Sequence, residues 1–538
     1  MPWQRADLFV KDNCEKMSQK YRIFATLKRE NMAVLGRILK ETTKFASQLD
    51  ARRKNDYSTQ IKTLLKLLDK AKFTEFGLHY NFDEISKAVL PHVEFSKRIP
   101  ITNYDDFHKD WLYRTIAGEH NITWPGKIKY YALSSGTSGA PSKRIPVSDS
   151  MIKKIQRVSV NQLLTLHDYD LDTDFYEKSM LMIGGSSALK QTEHFQEGDL
   201  SGILTGNVPF WFSKFSKPGK QITDISNWDE KVAAIVKNAP NWDIGVISGV
   251  PAWVSLVLKA IIREYKLNNI HDLWPALSVY VSGGVSIKPY KDDILQLFGK
   301  PVHFQETYLA SEGYFAFQKH EHEEGMRLRL QAGVYFEFIP FNEDNFDNGT
   351  VKTNCEILPL HQVKTGIDYA LVISTCSGLW RYVLGDTIRF ISTETYEIII
   401  TGRTAHYLSI CGEHLSVENM HDALYDTGKK LNTSFPEFTV YGEKIGDEIQ
   451  HHWYIGTEES IDKQTIAQFL DEALRTKNDD YAAVRNRTLQ APIVYLIPSD
   501  TFPRYLSEKV QRSGQTKFPR VLKNHQIEGW RKFLENVQ

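Results

Sequence analysis

From about residue 127 onward, short apolar runs stop abruptly at Gly/Ser turns. Met180-Leu-Met-Ile183 ends in Gly184-Gly185, Val279-Tyr-Val281 ends in Ser282-Gly283-Gly284, and Leu371-Val-Ile-Ser374 is a third such run. Runs this short suit buried strands, and helical patterns alternate with them, which constrains the chain to a mixed α/β fold. Strands that end in small-residue turns also present their carboxyl ends, where open α/β sheets bind ligands. Upstream, residues 15–72 carry helical spacing: Phe24, Leu27, Leu35, Ile38 and Leu39, then Ile61, Leu64, Leu65, Leu68 and Ala71. A boundary is expected near Thr401-Gly402-Arg403, after the strand-like Tyr396-Glu-Ile-Ile-Ile400. Beyond it, Thr439-Val-Tyr441, the stripe Ile466, Phe469, Leu470, Ala473, Leu474, and Ile493-Val-Tyr-Leu-Ile497 predict a small α+β unit.

The stretch Leu133 to Pro146 carries the most chemistry. Ser134, Ser135, Gly136, Thr137, Ser138 and Gly139 follow a strand-like run, and Lys143-Arg144 closes the loop. Side chains this small let backbone N–H groups approach an anion, hydroxyls add donors, and Lys143 adds a point charge, so the loop suits polyphosphate. It is neither a Walker loop, lacking Gly directly before Lys143, nor a nucleophile elbow, because Ser138 lacks the flanking Gly pair. A Gly/Ser-rich surface turn remains the alternative. In Tyr308-Leu-Ala-Ser311-Glu312, an aromatic ring can stack on a base, a hydroxyl can reach a phosphate, and a carboxylate can hold Mg²⁺ beside it. In Gly378 to Asp386, a carboxylate set just after Gly385 can accept bonds from ribose hydroxyls, although Asp after Gly is also ordinary turn chemistry.

Composition excludes more than it assigns. The 538 residues suffice for several domains, and 66 basic against 66 acidic residues leave no net charge to favour nucleic acid. No run approaches the length of a membrane span and the first 30 residues lack an apolar signal core, so a cytoplasmic protein with no membrane partner is expected. Cys14, Cys355, Cys376 and Cys411 stand far apart and read as reduced thiols. Lys319-His320-Glu-His322-Glu-Glu324 is expected to be a solvated loop, His451-His452 a surface pair, and Gly184-Gly185-Ser186 a tight turn. Trp253 and Trp380 suit either an acyl pocket or core packing.

Taken together, these motifs resemble the Gretchen Hagen acyl acid–amido synthetases, within the ANL adenylate-forming superfamily. The likeness runs through Thr74-Glu-Phe76-Gly77, Ser134–Pro146, Gly198-Asp-Leu-Ser201, Ser248 to Trp253, Ser282 to Val285, Tyr335 to Pro340, Gly378–Asp386, Leu470 to Leu474 and Lys517-Phe-Pro-Arg520. The phrases around Gly198 and Trp253 are similar to the bacterial branch, while Leu309 and Ser311 depart from the superfamily's Y-G-x-T-E. The resemblance implies a large N-terminal adenylating domain over residues 1–400. A small mobile α+β C-terminal domain would occupy 401–538, with Arg403 at the hinge. It implies two steps: a carboxylic acid attacks the α-phosphate of ATP, releasing pyrophosphate, and an amine, usually an amino acid, then takes the acyl group and releases AMP. By that likeness Ser134 to Ser138 and Lys143 hold the β- and γ-phosphates, Glu312 the Mg²⁺, Ser311 the α-phosphate and Asp386 the ribose. Tyr308 would pack on adenine near Gly283-Gly284, and Lys517 would approach the α-phosphate as the catalytic lysine. A monomer is expected. An acyl- or aryl-CoA ligase and a non-enzymatic nucleotide-binding protein remain alternatives.

Overall fold

The computed structural model describes residues 56–134, 143–169, 171–208, 210–284, 287–320, 324–347, 349–404, 408, 410–411, 413, 415–445, 448–486, 488–509 and 518–537. Helix α1 (Tyr57–Ala71) begins where the Asp56 side chain accepts from the Thr59 amide, and Leu64, Leu67, Leu68 and Ala71 form its buried stripe. The expected helices before residue 56 lie outside the described residues.

One four-stranded sheet carries the Gly/Ser loop. Strands β1 (Tyr130–Ser134) and β2 (Lys143–Val147) form an antiparallel hairpin with Ser134 opposite Lys143, so both ends of the loop are held in register. β4 (Lys190–Gln191) and β5 (Gln196–Gly198) complete the order β2-β1-β5-β4.

The main sheet has 12 strands, and its two halves are built differently. One half is parallel: β6 (Ser216–Lys217), β3 (Ser179–Ile183), β7 (Ile244–Gly249), β8 (Val279–Gly283) and β9 (His303–Ala310). From β9 the sheet continues antiparallel through β10 (Gly313–Phe317), β11 (Met326–Leu328), β18 (Glu397–Arg403), β17 (Tyr382–Ser392), β16 (Asp368–Thr375), β12 (Val334–Pro340) and β15 (Leu358–Pro359). A small hairpin, β13 (Phe346–Asp347) with β14 (Thr350–Val351), stands apart. Parallel strands need helical crossovers, and α2 (Asp149–Thr165), α3 (Trp228–Asn238) and α4 (Pro251–Tyr265) supply helices in the chain around them. Leu181, Ile247, Val254, Leu258 and Trp274 form the core beside the parallel half. Each such fully buried aliphatic side chain contributes about 1.5–3 kcal/mol.

Beyond Arg403 a second core forms. β19 (Phe438–Ile445) pairs antiparallel with β20 (Glu448–Gly456), which pairs parallel with β21 (Ile493–Ile497). Helices α5 (Val417–Leu431) and α6 (Lys463–Lys477) cover the sheet through Leu424, Ile466, Leu470 and Leu474, around Phe438 and Trp453.

One expectation is corrected here. His451 and His452 are not a surface pair: both lie in β20 and are buried. The departure at Leu309 also finds its reason: Leu309, where the superfamily has Gly, lies in β9 opposite Tyr314 and packs against the core. A strand position at that point does not need glycine's freedom, which accounts for the tolerated Leu.

Candidate active site

The carboxyl ends of β3, β7, β8 and β9 open on one cleft of about 2130 Å³, lined by Gly184, Gly249, Gly283, Gly284 and Ser311 among others. Small residues stand there because the chain turns tightly against its neighbours. A Cβ on Gly283 would lie 2.5 Å from the Thr307 hydroxyl, and one on Gly185 would lie 2.0 Å from an Asp199 carboxylate oxygen. The Gly184-Gly185 segment is therefore a bend held close against Asp199, not the hydrogen-bonded tight turn the sequence suggests. Thr307 in turn donates to the Ser282 carbonyl at 3.2 Å, fixing the Gly283 end of β8.

A charged cluster forms the opposite wall. Asp386 does not sit in a turn, as its place after Gly385 suggests; it lies within β17. Between the pairs Ala370–Thr387 and Val372–Val383, three β17 residues oppose Leu371 alone, a bulge made possible by Gly385 at φ +88°. Within the bulge, Asp386 stands directly opposite Arg403 on β18, and the Arg403 Nε donates to Asp386 Oδ1 at 2.9 Å. The other carboxylate oxygen accepts from the Tyr308 hydroxyl at 2.7 Å. The Tyr308 ring is buried edge-on against Phe315, with centroids 5.0 Å apart.

Glu312 completes the wall. Ser311 and Glu312 are the two turn residues between β9 and β10, whose flanking residues Ala310 and Gly313 pair. Glu312 is only 7% exposed. Burial, and next the nearby Asp386 carboxylate, hold its carboxyl up at about 7, against the smaller pull of Arg403 and Lys143. Lys143 faces the same cleft from the start of β2, its Nζ 5.3 Å from the Tyr104 ring centroid, and burial pushes its ammonium pKa down. Tyr104, which no sequence signal marks, also accepts from the Arg144 amide at 2.9 Å and so fixes the loop's exit.

Of the expected site residues, Ser134, Lys143, Gly283, Gly284, Tyr308, Ser311, Glu312, Asp386 and Arg403 all line this one cleft. Ser135, Gly136, Thr137, Ser138 and Lys517 lie outside the described residues. The two tryptophans divide: Trp253 lines the cleft and packs on Trp228 at 4.1 Å, whereas Trp380 is fully buried and donates to the Thr123 carbonyl. Its neighbour Arg381 is also core, bonded to both oxygens of Glu337 at 2.9 and 3.0 Å and to the Ser96 and Ile99 carbonyls. His320 turns toward Asp168 at 3.5 Å, and His322 lies outside the described residues. Among the described residues no group of three or more His, Cys, Asp or Glu could hold a metal by itself. A buried, cation-seeking carboxylate without such a cage fits Mg²⁺, which takes one or two carboxylates and completes its shell with phosphate oxygens and water.

Comparison with known proteins matches most of the chain to one family. Residues 45–224 match the GH3 family N-terminal domain, 328–403 the GH3 family central domain and 418–526 the GH3 family C-terminal domain. Among individual relatives in Arabidopsis thaliana, the 4-substituted benzoates-glutamate ligase GH3.12 is 22% identical over 501 residues, spanning 80% of this chain and 84% of that protein. The indole-3-acetic acid-amido synthetase GH3.4 is 36% identical over 396 residues, spanning 62% of this chain and 65% of its own. In fold, the chain is similar to the solved GH3.15 acyl acid amido synthetase (TM-score 0.72, 16% identity, 91% of this chain and 95% of that one). It is also similar to a 2-hydroxyisobutyryl-CoA ligase in the postadenylation state (TM-score 0.58, 13% identity, 89% and 91%). With all three domain matches in sequence order and together spanning more than half of the residues, the chain belongs to the GH3 family.

Proposed function

We propose that this protein is an ATP-dependent acid–amino acid ligase that adenylates a carboxylic acid in the cleft and passes the acyl group to an amine. The observation that carries the reading is Glu312: a buried carboxylate beside a second acid, facing a cleft that also presents Lys143 and the ends of a Gly/Ser loop. Such a site is unfavourable when empty and becomes favourable when cation and polyphosphate arrive together. Membership of a family whose relatives include a benzoates-glutamate ligase and an indole-3-acetic acid-amido synthetase supports it.

In this reading Glu312 would hold Mg²⁺, which would supply positive charge against the phosphates, while Lys143 and residues 134–138 would hold the β- and γ-phosphates. The substrate carboxylate oxygen bonds to the α-phosphorus, the bridge to the β-phosphate breaks, and pyrophosphate leaves. An amine nitrogen then attacks the acyl carbon, AMP departs, and the amine loses a proton. Asp386, pre-oriented by Arg403 and the Tyr308 hydroxyl, takes the ribose; Tyr308 and Gly283-Gly284 flank the base. Lys517 approaches the α-phosphate, where charge accumulates in the first step. We divide the chain near Arg403, the last residue of the main sheet before the second core, and place the hinge there.

The test is ATP–pyrophosphate exchange with a panel of carboxylic acids, followed by mass spectrometry of the product formed with amino acids or with CoA. Acid-dependent exchange and an amide product are expected. Exchange with a thioester product would leave adenylation standing but replace the acceptor, and no exchange with any acid would contradict the proposal.

A further inference from the structure

The two cores meet at a three-residue clasp, with Tyr290 buried and Glu437 and Arg520 half-buried. Tyr290 belongs to the core of the main sheet, among Ile287 and Ile294, but its hydroxyl donates to Glu437 Oε1 at 2.6 Å, just before β19. The second Glu437 oxygen accepts from Arg520 Nη1 at 2.8 Å, and Arg520 Nη2 lies 3.3 Å from the Tyr290 hydroxyl oxygen. Arg520 is tied to its own side by the Pro436 and Phe438 carbonyls, by the Phe438 ring 4.9 Å from its guanidinium carbon, and by backbone bonding to Val440. Glu437 and Arg520 thus form a pre-assembled socket on the small side, and the large side inserts the Tyr290 hydroxyl into it. Outside the clasp, the linking ion pairs are longer, Lys288–Asp422 at 3.7 Å and Arg389–Glu418 at 3.5 Å.

Resting on the adenylation reading above, we propose that Tyr290 is a positioning residue for the first half-reaction. Tyr290, Glu437 and Arg520 line the cleft that also holds Glu312 and Asp386, as do Phe518 and Pro519 immediately before Arg520. The clasp therefore fixes Phe518, Pro519 and Arg520 along the wall of that cleft. This partly buried hydroxyl-to-carboxylate bond is made only while the two sides are together, so it biases them toward this arrangement. Acyl transfer, which needs the acceptor to reach the acyl-adenylate, does not depend on the bond.

Tyr290→Phe removes the hydroxyl and keeps the ring, so core packing is retained; Glu437→Gln weakens the socket from the other side. For both full-length variants, exchange should fall about tenfold, equivalent to about 1.4 kcal/mol, while transfer from chemically prepared acyl-adenylate to the amine stays at the wild-type rate. Small-angle X-ray scattering of the free protein should show a larger radius of gyration in both variants than in the wild type. Equal losses in both half-reactions, an unchanged exchange rate, or unchanged scattering would overturn the proposal. Absence of exchange in the wild type would count against the adenylation reading instead, and the scattering comparison would still decide the clasp.

Discussion

Two buried glutamates, one in each half of the molecule, titrate in opposite directions. Glu413, fully buried beside the second core, accepts from the Ile410 and Cys411 amides at 2.8 and 2.9 Å and faces His451 Nε2 at 2.9 Å. Burial alone pushes it up, but these partners outweigh burial and hold its carboxyl at about 2. Glu312 is buried almost as deeply, yet its nearest charged influence is another acid, and it stands at about 7. Glu413 ties the chain after Arg403 to β20 and is fully satisfied. Glu312 is left wanting a cation. On the proposed function, the contrast separates a carboxylate that stabilises the fold from one whose cost would be recovered when a ligand binds.

The largest effect is expected at Glu312. Glu312→Ala should lower pyrophosphate exchange by at least about a hundredfold, the range for losing one electrostatic stabiliser, with a raised Mg²⁺ requirement in titrations. Wild-type exchange in a folded variant would erase the contrast. At Glu413 the loss should appear in stability. Its folded pKa lies below the ordinary glutamate value of 4.5, so its contribution is present above about pH 4.5 and is lost as pH falls toward 2. Glu413→Gln should therefore cost about 3 kcal/mol near neutral pH and little in acid, as read by urea unfolding across pH. A loss that did not change with pH would mean packing, not charge, is what Glu413 supplies.

Smaller effects sharpen the cleft side of the comparison. Lys143→Ala should remove a charge-assisted contact of roughly 1.5–3 kcal/mol, lowering exchange by one to two orders of magnitude with little change in melting temperature. Asp386→Asn should weaken ATP binding by about tenfold, or about 1.4 kcal/mol, in calorimetric titration, with acid affinity unchanged. Unfolding of that variant would make the pair with Arg403 structural.

What was legible in the sequence was local. Small residues at strand ends, a lysine closing a Gly/Ser loop, and acids beside turns each carry their chemistry within about ten residues, and they converge because strand ends converge. Asp386 was visible, but the β17 bulge and the cross-strand register that sets Arg403 against it were not, since register depends on pairing partners. Trp380 and Arg381 stood in the same motif and turned into the core; Asp386 is buried too, and only the cleft it lines tells it from them. His451 looked like half of a surface pair because its partner Glu413 is 38 residues away. The Tyr290 clasp spans 230 residues and leaves no local trace.

The most direct test of the frustrated carboxylate is thermal melting of the wild type and Glu312→Gln across pH, with and without Mg²⁺ and ATP. Because the folded pKa is raised above the unfolded one, the free wild type should lose stability as pH rises from about 4.5 through 7. Glu312→Gln should lack that fall and melt higher than wild type above about pH 7. Adding Mg²⁺ and ATP should raise the wild-type midpoint well above any shift in the variant. Parallel pH profiles for the two proteins, or equal shifts with Mg²⁺ and ATP, would contradict the account.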